Sequence, residues 1–168
     1  MNAANSLFLL AQDLIDHESM LLRTRQFKAW LELFTSNGLY WLPVAPAQTS
    51  PRDGPSHINE ARPLLDARVE RLYDPHVLPQ TPASRVSRLH GKPWLIAASD
   101  DTIDIGVSFH VIESRPNNEG GDPLRLFAGD AAYSLVRDAA ADKGLRIQCK
   151  RVDLINSESA FFGVSVLL

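Results

Sequence analysis

The sequence predicts an α+β fold in which N-terminal helices pack on a curved, mostly antiparallel sheet, giving a cone whose mouth is a candidate pocket. Two observations support this prediction. Apolar residues recur at helical spacing early in the chain, and they alternate with polar residues in its second half. Helices grouped before strands are typical of α+β folds. At 168 residues the chain is expected to form a single domain over residues 1–168, burying about 70% of its unfolded surface.

The first helix is predicted by apolar residues that recur at steps of three and four. The residues on this face are Leu7, Leu10, Ala11, Leu14, Leu21 and Leu22. Glu18 falls on the same face, so its carboxylate is predicted to be buried. A shorter second helix repeats the spacing, and Asn37-Gly38 is predicted to end it. Its apolar residues are Phe27, Trp30, Leu31 and Phe34.

A strand and a third helix are predicted next. The strand covers residues 39–44, and a proline-rich surface loop is predicted over residues 45–57. The third helix is expected to begin near Pro63, because the fixed φ of proline suits the first turn of a helix. Three more prolines are expected to break the chain before the sheet, namely Pro75, Pro79 and Pro82.

The second half of the chain is predicted to be strands. The clearest runs from residue 103 to residue 111, where apolar and polar side chains alternate. The sheet is expected to begin at residues 84–90 and to continue, after a hairpin connection at residues 117–122, through residues 124–136 and 145–155.

The overall composition limits the partners that the protein can have. The net charge is −3 and no block of Lys or Arg stands out, so no nucleic-acid partner is expected. No apolar run approaches the roughly 18 residues of a membrane span, and no basic segment precedes residues 7–11 as in a secretory signal. The single cysteine, Cys149, fits a reducing compartment, so the expected location is the cytoplasm.

Neither metal chemistry nor nucleophilic catalysis is indicated by the motifs. The five histidines do not lie at ligand spacing, although His57 with Glu60, or Asp74 with His76, offers two ligands of a metal site. A Rieske cluster needs two cysteines and two histidines. Cys149 lies inside a predicted strand, where a thiol is usually an inert apolar group. We therefore expect no catalytic, cofactor-binding or metal-binding residue in this chain.

Glu18 is the one serious catalytic candidate. A carboxylate on an apolar face, with a histidine beside it, suits the acid–base chemistry of a stand-alone dehydratase or isomerase. Those histidines are His17, His90 and His110, with Tyr40 as a further neighbour. The alternative is structural neutralisation by Arg25, Arg68 or Arg85, and we favour it because buried carboxylates are more often paired than catalytic. A third possibility is a small-molecule binding module with an empty cone.

Charged and apolar segments elsewhere suggest contacts with another subunit. Arginine and aspartate close together on one surface suit bidentate pairing across an interface. The residues concerned are Asp66, Arg68, Arg71, Ser84 and Arg85. His90 is expected to be a hydrogen-bonded structural residue. The apolar segment from Phe161 and Phe162 to Leu168 is predicted to be either a final strand or an apolar seal against a partner.

Several of these motifs occur together in a known order. The chain resembles, over nearly its whole length, the small (β) subunit of the Rieske non-haem-iron aromatic-ring-hydroxylating dioxygenases. The motifs that carry the resemblance are Glu18 with Leu21-Leu22, Trp30-Leu31-x-Leu33-Phe34, Tyr40-Trp41-Leu42-Pro43-Val44, Asp66-x-Arg68-x-x-Arg71-Leu72, Pro82-x-Ser84-Arg85 with His90, Gly144-Leu145-Arg146-Ile147 and Lys150-Arg151-x-x-Leu154.

This resemblance implies a fold and a partner. The fold is the cone shared by cystatin-like and nuclear-transport-factor-like proteins. The partner is a large (α) subunit that carries a Rieske 2Fe-2S cluster and mononuclear Fe(II), receives electrons from NADH through a reductase, and binds a homotrimer of this chain in an α3β3 hexamer. The complex hydroxylates an aromatic compound in catabolism, and residues 56–63 resemble those of members that act on aromatic acids. This chain is then a non-catalytic, structural subunit.

Overall fold

Three helices and seven strands are present in the computed structural model, which describes residues 3–74, 76, 83–114, 124–159, 164 and 166–168. In chain order they are α1 (Ala3–Arg23), α2 (Phe27–Leu31), β1 (Phe34–Pro43), β2 (Ser56–Ala61), α3 (Arg62–Tyr73), β3 (Arg85–His90), β4 (Trp94–Ala98), β5 (Thr102–Ser114), β6 (Leu124–Arg137) and β7 (Leu145–Leu154). The helices precede most of the strands, as the predicted α+β class requires.

All seven strands belong to one curved sheet. Their order is β2-β1-β7-β6-β5-β3, and β4 pairs with a further part of β5. Each neighbouring pair is antiparallel except β1 and β7, which run parallel. The sheet is therefore mostly antiparallel, and its first strand lies beside its last. This topology brings the beginning and the end of the chain together in the core.

The inner face of the sheet is built by alternation. In β5 the inward side chains are buried, and those between them point to the outer face. The inward residues are Ile103, Ile105, Val107, Phe109 and Val111. Helix α1 contacts β3, β5 and β7 through its apolar face, so the helices fill the concave side of the sheet. Burying each large apolar side chain contributes about 1.5–3 kcal/mol to stability.

The predicted second helix was too long. Helix α2 ends at Leu31, and Phe34 is the first residue of β1. The ring of Phe34 nevertheless lies edge-to-face on Trp30, with ring centroids 4.9 Å apart. The strand therefore makes the contact that the helical spacing suggested. Asn37-Gly38 lies inside β1, where the pairing with β7 shifts register, and does not end a helix.

Two strands differ from the sequence-based prediction. Residues 56 and 57 of the predicted loop belong to β2, and β4 was not specified. Neither strand shows the alternation of apolar and polar residues that marks β5. Strand β2 is short and only one of its side chains is buried, and the side chains of β4 are all exposed. The predicted hairpin connection at residues 117–122 lies outside the described residues. The antiparallel pairing of β5 with β6 on either side of it agrees with that prediction.

Leu167 and Leu168 are buried in the core, and the described residues 164 and 166–168 form no strand. Leu167 and Leu168 are each 3% exposed, and the backbone N–H of Leu168 donates a hydrogen bond to the Tyr40 hydroxyl at 3.0 Å. These two residues therefore seal the chain's own interior. Phe161 and Phe162 lie outside the described residues. In the part of the chain that is described, no helix has the length and apolar character needed to cross a membrane.

Candidate functional site

A buried carboxylate stands at the centre of the cone. Glu18 lies on the inner face of α1 and is 2% exposed. Its Oε1 accepts hydrogen bonds from Trp30 Nε1 at 2.8 Å and from Lys150 Nζ at 2.9 Å. Its Oε2 accepts one from the Tyr133 hydroxyl at 2.6 Å. Helix α1, helix α2 and strands β6 and β7 thus converge on one carboxylate, which three donors hold in place.

The groups around Glu18 have shifted pKa values because they are buried. Burial lowers the pKa of Lys150, and the carboxylate of Glu18 opposes that shift. Burial, together with the Glu18 charge, raises the pKa of Tyr133 well above its usual value. Burial also raises the pKa of Tyr40 to about 12. Both tyrosines are therefore neutral donors at physiological pH, and Lys150 is the cation that faces the carboxylate.

The predicted arginine partners of Glu18 were wrong. Lys150 pairs with Glu18 in place of Arg25, Arg68 or Arg85. The reason lies in β7, whose register against β6 shifts between Ser134 and Leu135. This irregularity changes the phase of the strand, so that Ile147 and Lys150 are both inward although three positions separate them. Without this irregularity, a strict two-residue alternation from Ile147 would place Lys150 on the outer face.

The surroundings of Glu18 do not suit a substrate. The cavity beside it measures about 30 Å³, room for one or two water molecules. Of the predicted histidines, His90 lines this cavity, but its Nε2 lies 3.0 Å from the carboxylate of Asp16. His110 is exposed and shares the outer face with Leu89, its partner in the register. The geometry therefore favours a structural role for Glu18.

The outer face of the sheet carries large apolar side chains where water-facing residues are expected. Leu89, Ile112 and Leu126, which we call the outer patch, lie on β3, β5 and β6 and are between 44% and 72% exposed. Ile112 and Leu126 are directly opposite in the register, so their Cβ atoms are about 4.5–5.5 Å apart. Leu89 pairs with His110, two residues from Ile112 on the same face. Such clusters on a soluble protein mark interaction surfaces.

A family model and a curated relative agree on one family. The family model described as the ring hydroxylating β subunit matches residues 17–159. The small oxygenase component of the p-cumate 2,3-dioxygenase system of Pseudomonas putida is 30% identical over 142 residues, which cover 83% of this chain and 74% of that protein. The chain belongs to the ring-hydroxylating β-subunit family.

Solved structures show the same fold as this β subunit. The β subunit of benzoate 1,2-dioxygenase from Burkholderia mallei has a TM-score of 0.71 at 22% identity, covering 94% of this chain and 95% of that one. Naphthalene 1,2-dioxygenase with indole bound in its active site has a TM-score of 0.76 at 20% identity, covering 98% and 86%. These likenesses confirm the predicted cone. The family match confirms the predicted small subunit of a ring-hydroxylating oxygenase, which is an oxidoreductase complex.

The donor set of the described residues does not fit either iron group that the resemblance implies. A Rieske cluster needs two cysteines and two histidines, and the chain has one cysteine. Among the described residues, no three His, Cys, Asp or Glu side chains form a group that could hold a metal ion. The predicted two-ligand pairs have other contacts: His57 Nε2 lies 2.6 Å from the carbonyl oxygen of Ser157, and Asp74 accepts from the backbone N–H of His76.

The residues of α3 that were predicted to order subunit contacts pair within the chain. Asp66 is exposed and pairs with Arg62 at 3.0 Å in the same helix. Arg68 forms a bidentate pair with Glu60 at 2.6 Å, which ties α3 to β2, and this contact raises the pKa of Arg68. Arg71 is exposed on the last turn. A role in subunit contacts remains a prediction for all three predicted residues of α3.

The predicted residues at the start of β3 and just before it divide between the core and the surface. Ser84 is buried and its hydroxyl donates to Glu113 at 2.7 Å, so it helps to satisfy a buried carboxylate. Arg85 is exposed on the outer face opposite Ser114. His90 is hydrogen-bonded, as expected. The sequence analysis missed the outer patch, although apolar residues at the outward positions of an alternating strand were a signal available for it.

Proposed function

We propose that this chain is a non-catalytic structural subunit, which assembles with and stabilises the iron-bearing large subunit of an aromatic-ring-hydroxylating oxygenase. The large subunit would hold the Rieske 2Fe-2S cluster and the mononuclear Fe(II), and NADH would supply electrons through a reductase. Membership of the β-subunit family supports this role. The proposed location is the cytoplasm, where Cys149 stays reduced.

The outer patch is the observation that carries the proposal. Leu89, Ile112 and Leu126 lie side by side on three adjacent strands and remain largely in contact with water. Covering the exposed part of each side chain would stabilise a complex by about 1 kcal/mol. An antiparallel sheet with one solvated face normally places polar residues there. We infer that a protein surface covers this face.

We further propose an α3β3 hexamer. Three copies of this chain would pack around an axis through their sheet faces, and one rim of each cone would brace the large subunit. Arg85 borders the outer patch and would contribute a charged contact at its edge, while Asp66 and Arg71, both exposed on α3, would act at the rim. An apolar seal formed with Phe161 and Phe162 stays a prediction. The aromatic substrate is proposed to be an aromatic acid, because the Pseudomonas relative is named for p-cumate.

The test is assembly after a charge is placed in the outer patch. Leu126→Glu is expected to reduce co-purification with the large subunit, or to dissociate the homotrimer, because an unpaired carboxylate cannot be buried in an apolar contact. The native mass of the purified complex is the measurement. Leu9→Glu is the matched control, because Leu9 is 52% exposed on α1, to which the proposal gives no subunit contact. A Leu126→Glu complex of unchanged mass and stability would refute the proposed interface.

A further inference from the structure

A groove opens at the mouth of the cone, beside the Glu18 centre. Its volume is about 250 Å³. We call it the mouth groove. Its walls, within the described part of the chain, come from the end of α1, the start of α2, the end of α3, the start of β3 and the last residues. The apolar part of the wall includes Leu22, Phe27, Leu72, Val86 and Leu167.

Four arginines line the mouth groove, namely Arg23, Arg25, Arg85 and Arg88. None of them is within 4 Å of a described carboxylate. Six other described arginines are each in an ion pair with an aspartate or glutamate, namely Arg62, Arg68, Arg125, Arg137, Arg146 and Arg151. Arg52 and Arg71 are in none, but they are exposed and lie apart from one another, whereas the four groove arginines share one site. The mouth groove therefore concentrates positive charge that the described chain leaves uncompensated, on a protein whose net charge is negative.

The buried position of the Arg88 side chain is difficult to explain by packing within the chain alone. Its side chain extends inward from β3, on the face that it shares with Val111, and lines both the mouth groove and the small cavity beside Glu18. The Nε atom is buried and has no hydrogen-bond partner in the described structure. Burial lowers the pKa of this guanidinium. The charge of Glu18 opposes that shift. A buried N–H donor without a hydrogen-bond partner is costly, and native proteins usually satisfy such a group with a ligand, a water or an ion.

The groove has the size and chemistry of a site for a small amphiphilic anion. An apolar cavity of about 150 Å³ is enough to bind benzene, and the mouth groove is larger. Phe27 and Leu72 offer an apolar surface to a ring, and the guanidinium of Arg88 presents donors in a fork that matches a carboxylate. Arg25 adds a second cation at the rim, where its guanidinium lies 5.2 Å from the Phe27 ring centroid.

We propose that the mouth groove binds a small apolar carboxylate of about one ring, with its carboxylate against Arg88 and its body against Phe27 and Leu72. This assignment does not depend on the proposed assembly role. Arg88, which would hold the carboxylate, lies on the inner side of β3, whereas the outer patch lies on the opposite face of the sheet. Arg85, at the start of β3, borders both the mouth groove and the outer patch and has no part in the assignment. A carboxylate side chain from a partner protein has the same head group and is the competing occupant that the experiment must distinguish.

The experiment is calorimetric titration of the full chain, first alone and then in its complex with the large subunit, with benzoate as the probe. Benzamide is the matched neutral probe. Benzoate is expected to bind at least tenfold more tightly than benzamide, and Arg88→Gln should weaken benzoate binding at least tenfold. Arg52→Gln should leave binding unchanged, because Arg52 is exposed in a loop outside the groove. In the complex, wild type should bind one more benzoate per small subunit than the Arg88→Gln variant does.

Three results would overturn the assignment. One is equal affinity for benzoate and benzamide. A second is benzoate binding that Arg88→Gln and the rim variant Arg25→Gln both leave unchanged, with circular dichroism showing both variants folded. The third is benzoate binding by the free chain that disappears in the complex, which would assign Arg88 to a carboxylate of the large subunit. If Arg88→Gln does not fold, the decision rests on Arg25→Gln, for which at least a threefold loss of affinity is expected.

Discussion

Glu18 and Lys150 form an ion pair in which both side chains are almost fully excluded from water, being 3% and 2% exposed. Desolvating two charges costs several kcal/mol per ion, and their attraction offsets this only when further hydrogen bonds complete the site. Trp30 and Tyr133 supply those bonds to the carboxylate. The carbonyl oxygen of Leu168 accepts another from Lys150 Nζ. The pair is therefore stable as a unit and costly to break.

Removal of one charge from this pair should be strongly destabilising. We expect Glu18→Gln to lower the free energy of unfolding by about 3–5 kcal/mol, because it leaves Lys150 buried without a counter-charge. Urea denaturation followed by circular dichroism is the measurement. The double variant Glu18→Leu, Lys150→Met is expected to be more stable than Glu18→Gln. Equal stability of Glu18→Gln and wild type would show that the pair contributes nothing to the fold.

Tyr40 makes the stability of the folded protein depend on pH in the alkaline range. Its pKa is raised to about 12 in the folded chain, whereas an unfolded tyrosine ionises near pH 10. The stability conferred by the neutral hydroxyl is therefore fully present below pH 10 and is lost as the pH rises towards 12. Between pH 9 and pH 11 we expect wild type to lose about 1 kcal/mol more than Tyr40→Phe in urea denaturation. A Tyr40→Phe variant that loses as much stability as wild type over this range would contradict the assignment.

At the scale of elements, Gly106 is the residue on which the packing of β4 depends. The indole of Trp94 lies directly over Gly106, its partner in the register, and a Cβ on Gly106 would stand 2.3 Å from Trp94 Cε2 and Cζ2. No real Cβ contact is so short, so any larger residue displaces the ring. Only glycine at position 106 leaves room for the Trp94 ring, which packs β4 against β5.

Gly106→Ala should loosen β4 from the sheet. We expect it to lower the free energy of unfolding by about 1–3 kcal/mol, the usual cost of overpacking. Tryptophan emission should shift to longer wavelength as Trp94 gains exposure to water, because Trp30 and Trp41 remain buried. Gly91→Ala is the matched control, since a Cβ there meets only the Ser108 carbonyl oxygen at 3.7 Å. An unshifted spectrum for Gly106→Ala would contradict this account of β4.

Elements with a strong period were predictable from the sequence, whereas those shaped by tertiary contacts were not. The alternation of β5 and the leucine spacing of α1 follow from burial of one face, so local pattern and structure agree. The burial of Glu18 followed from its place on that face. Its partner Lys150 could not be predicted, because an irregularity in the pairing with β6 changes the phase of β7. Phe34 was predicted to be helical because its spacing from Trp30 suggested a contact within one helix. The two rings are in contact, but Phe34 makes that contact from the start of β1.

At the scale of the whole molecule, the two faces of one sheet have separate roles. The inner face builds the core and the Glu18 centre, while the outer face carries the outer patch, which we propose a partner covers. Arg85 lies on that outer face, is exposed, and is in no ion pair with any described carboxylate. A surface arginine beside an apolar patch is a common component of interface contacts.

Removal of Arg85 should weaken assembly and leave the metal content of the partner unchanged. We expect Arg85→Ala to raise the dissociation constant of the oligomer several-fold, because it removes a charged contact at the edge of the outer patch. Analytical ultracentrifugation gives the mass, and iron analysis per large subunit gives the content. Arg52→Ala should behave as wild type. If Arg85→Ala assembles with unchanged affinity, Arg85 makes no contact that matters to the oligomer.

A ribosome synthesises Glu18 long before it reaches Lys150, which lies 132 residues further along the chain. At about 5–20 residues per second, the two side chains are made roughly 7 to 26 s apart. Throughout that interval the apolar face of α1 and its carboxylate have no strand β7 to cover them, and β1 lacks its parallel neighbour. Strands β3 and β5, which also contact α1, are made earlier, so the part of the helix that stays uncovered longest is the part that faces β7. Folding is completed after synthesis of the final strand, and a chain that stops before Lys150 would present its N-terminal helix to chaperones.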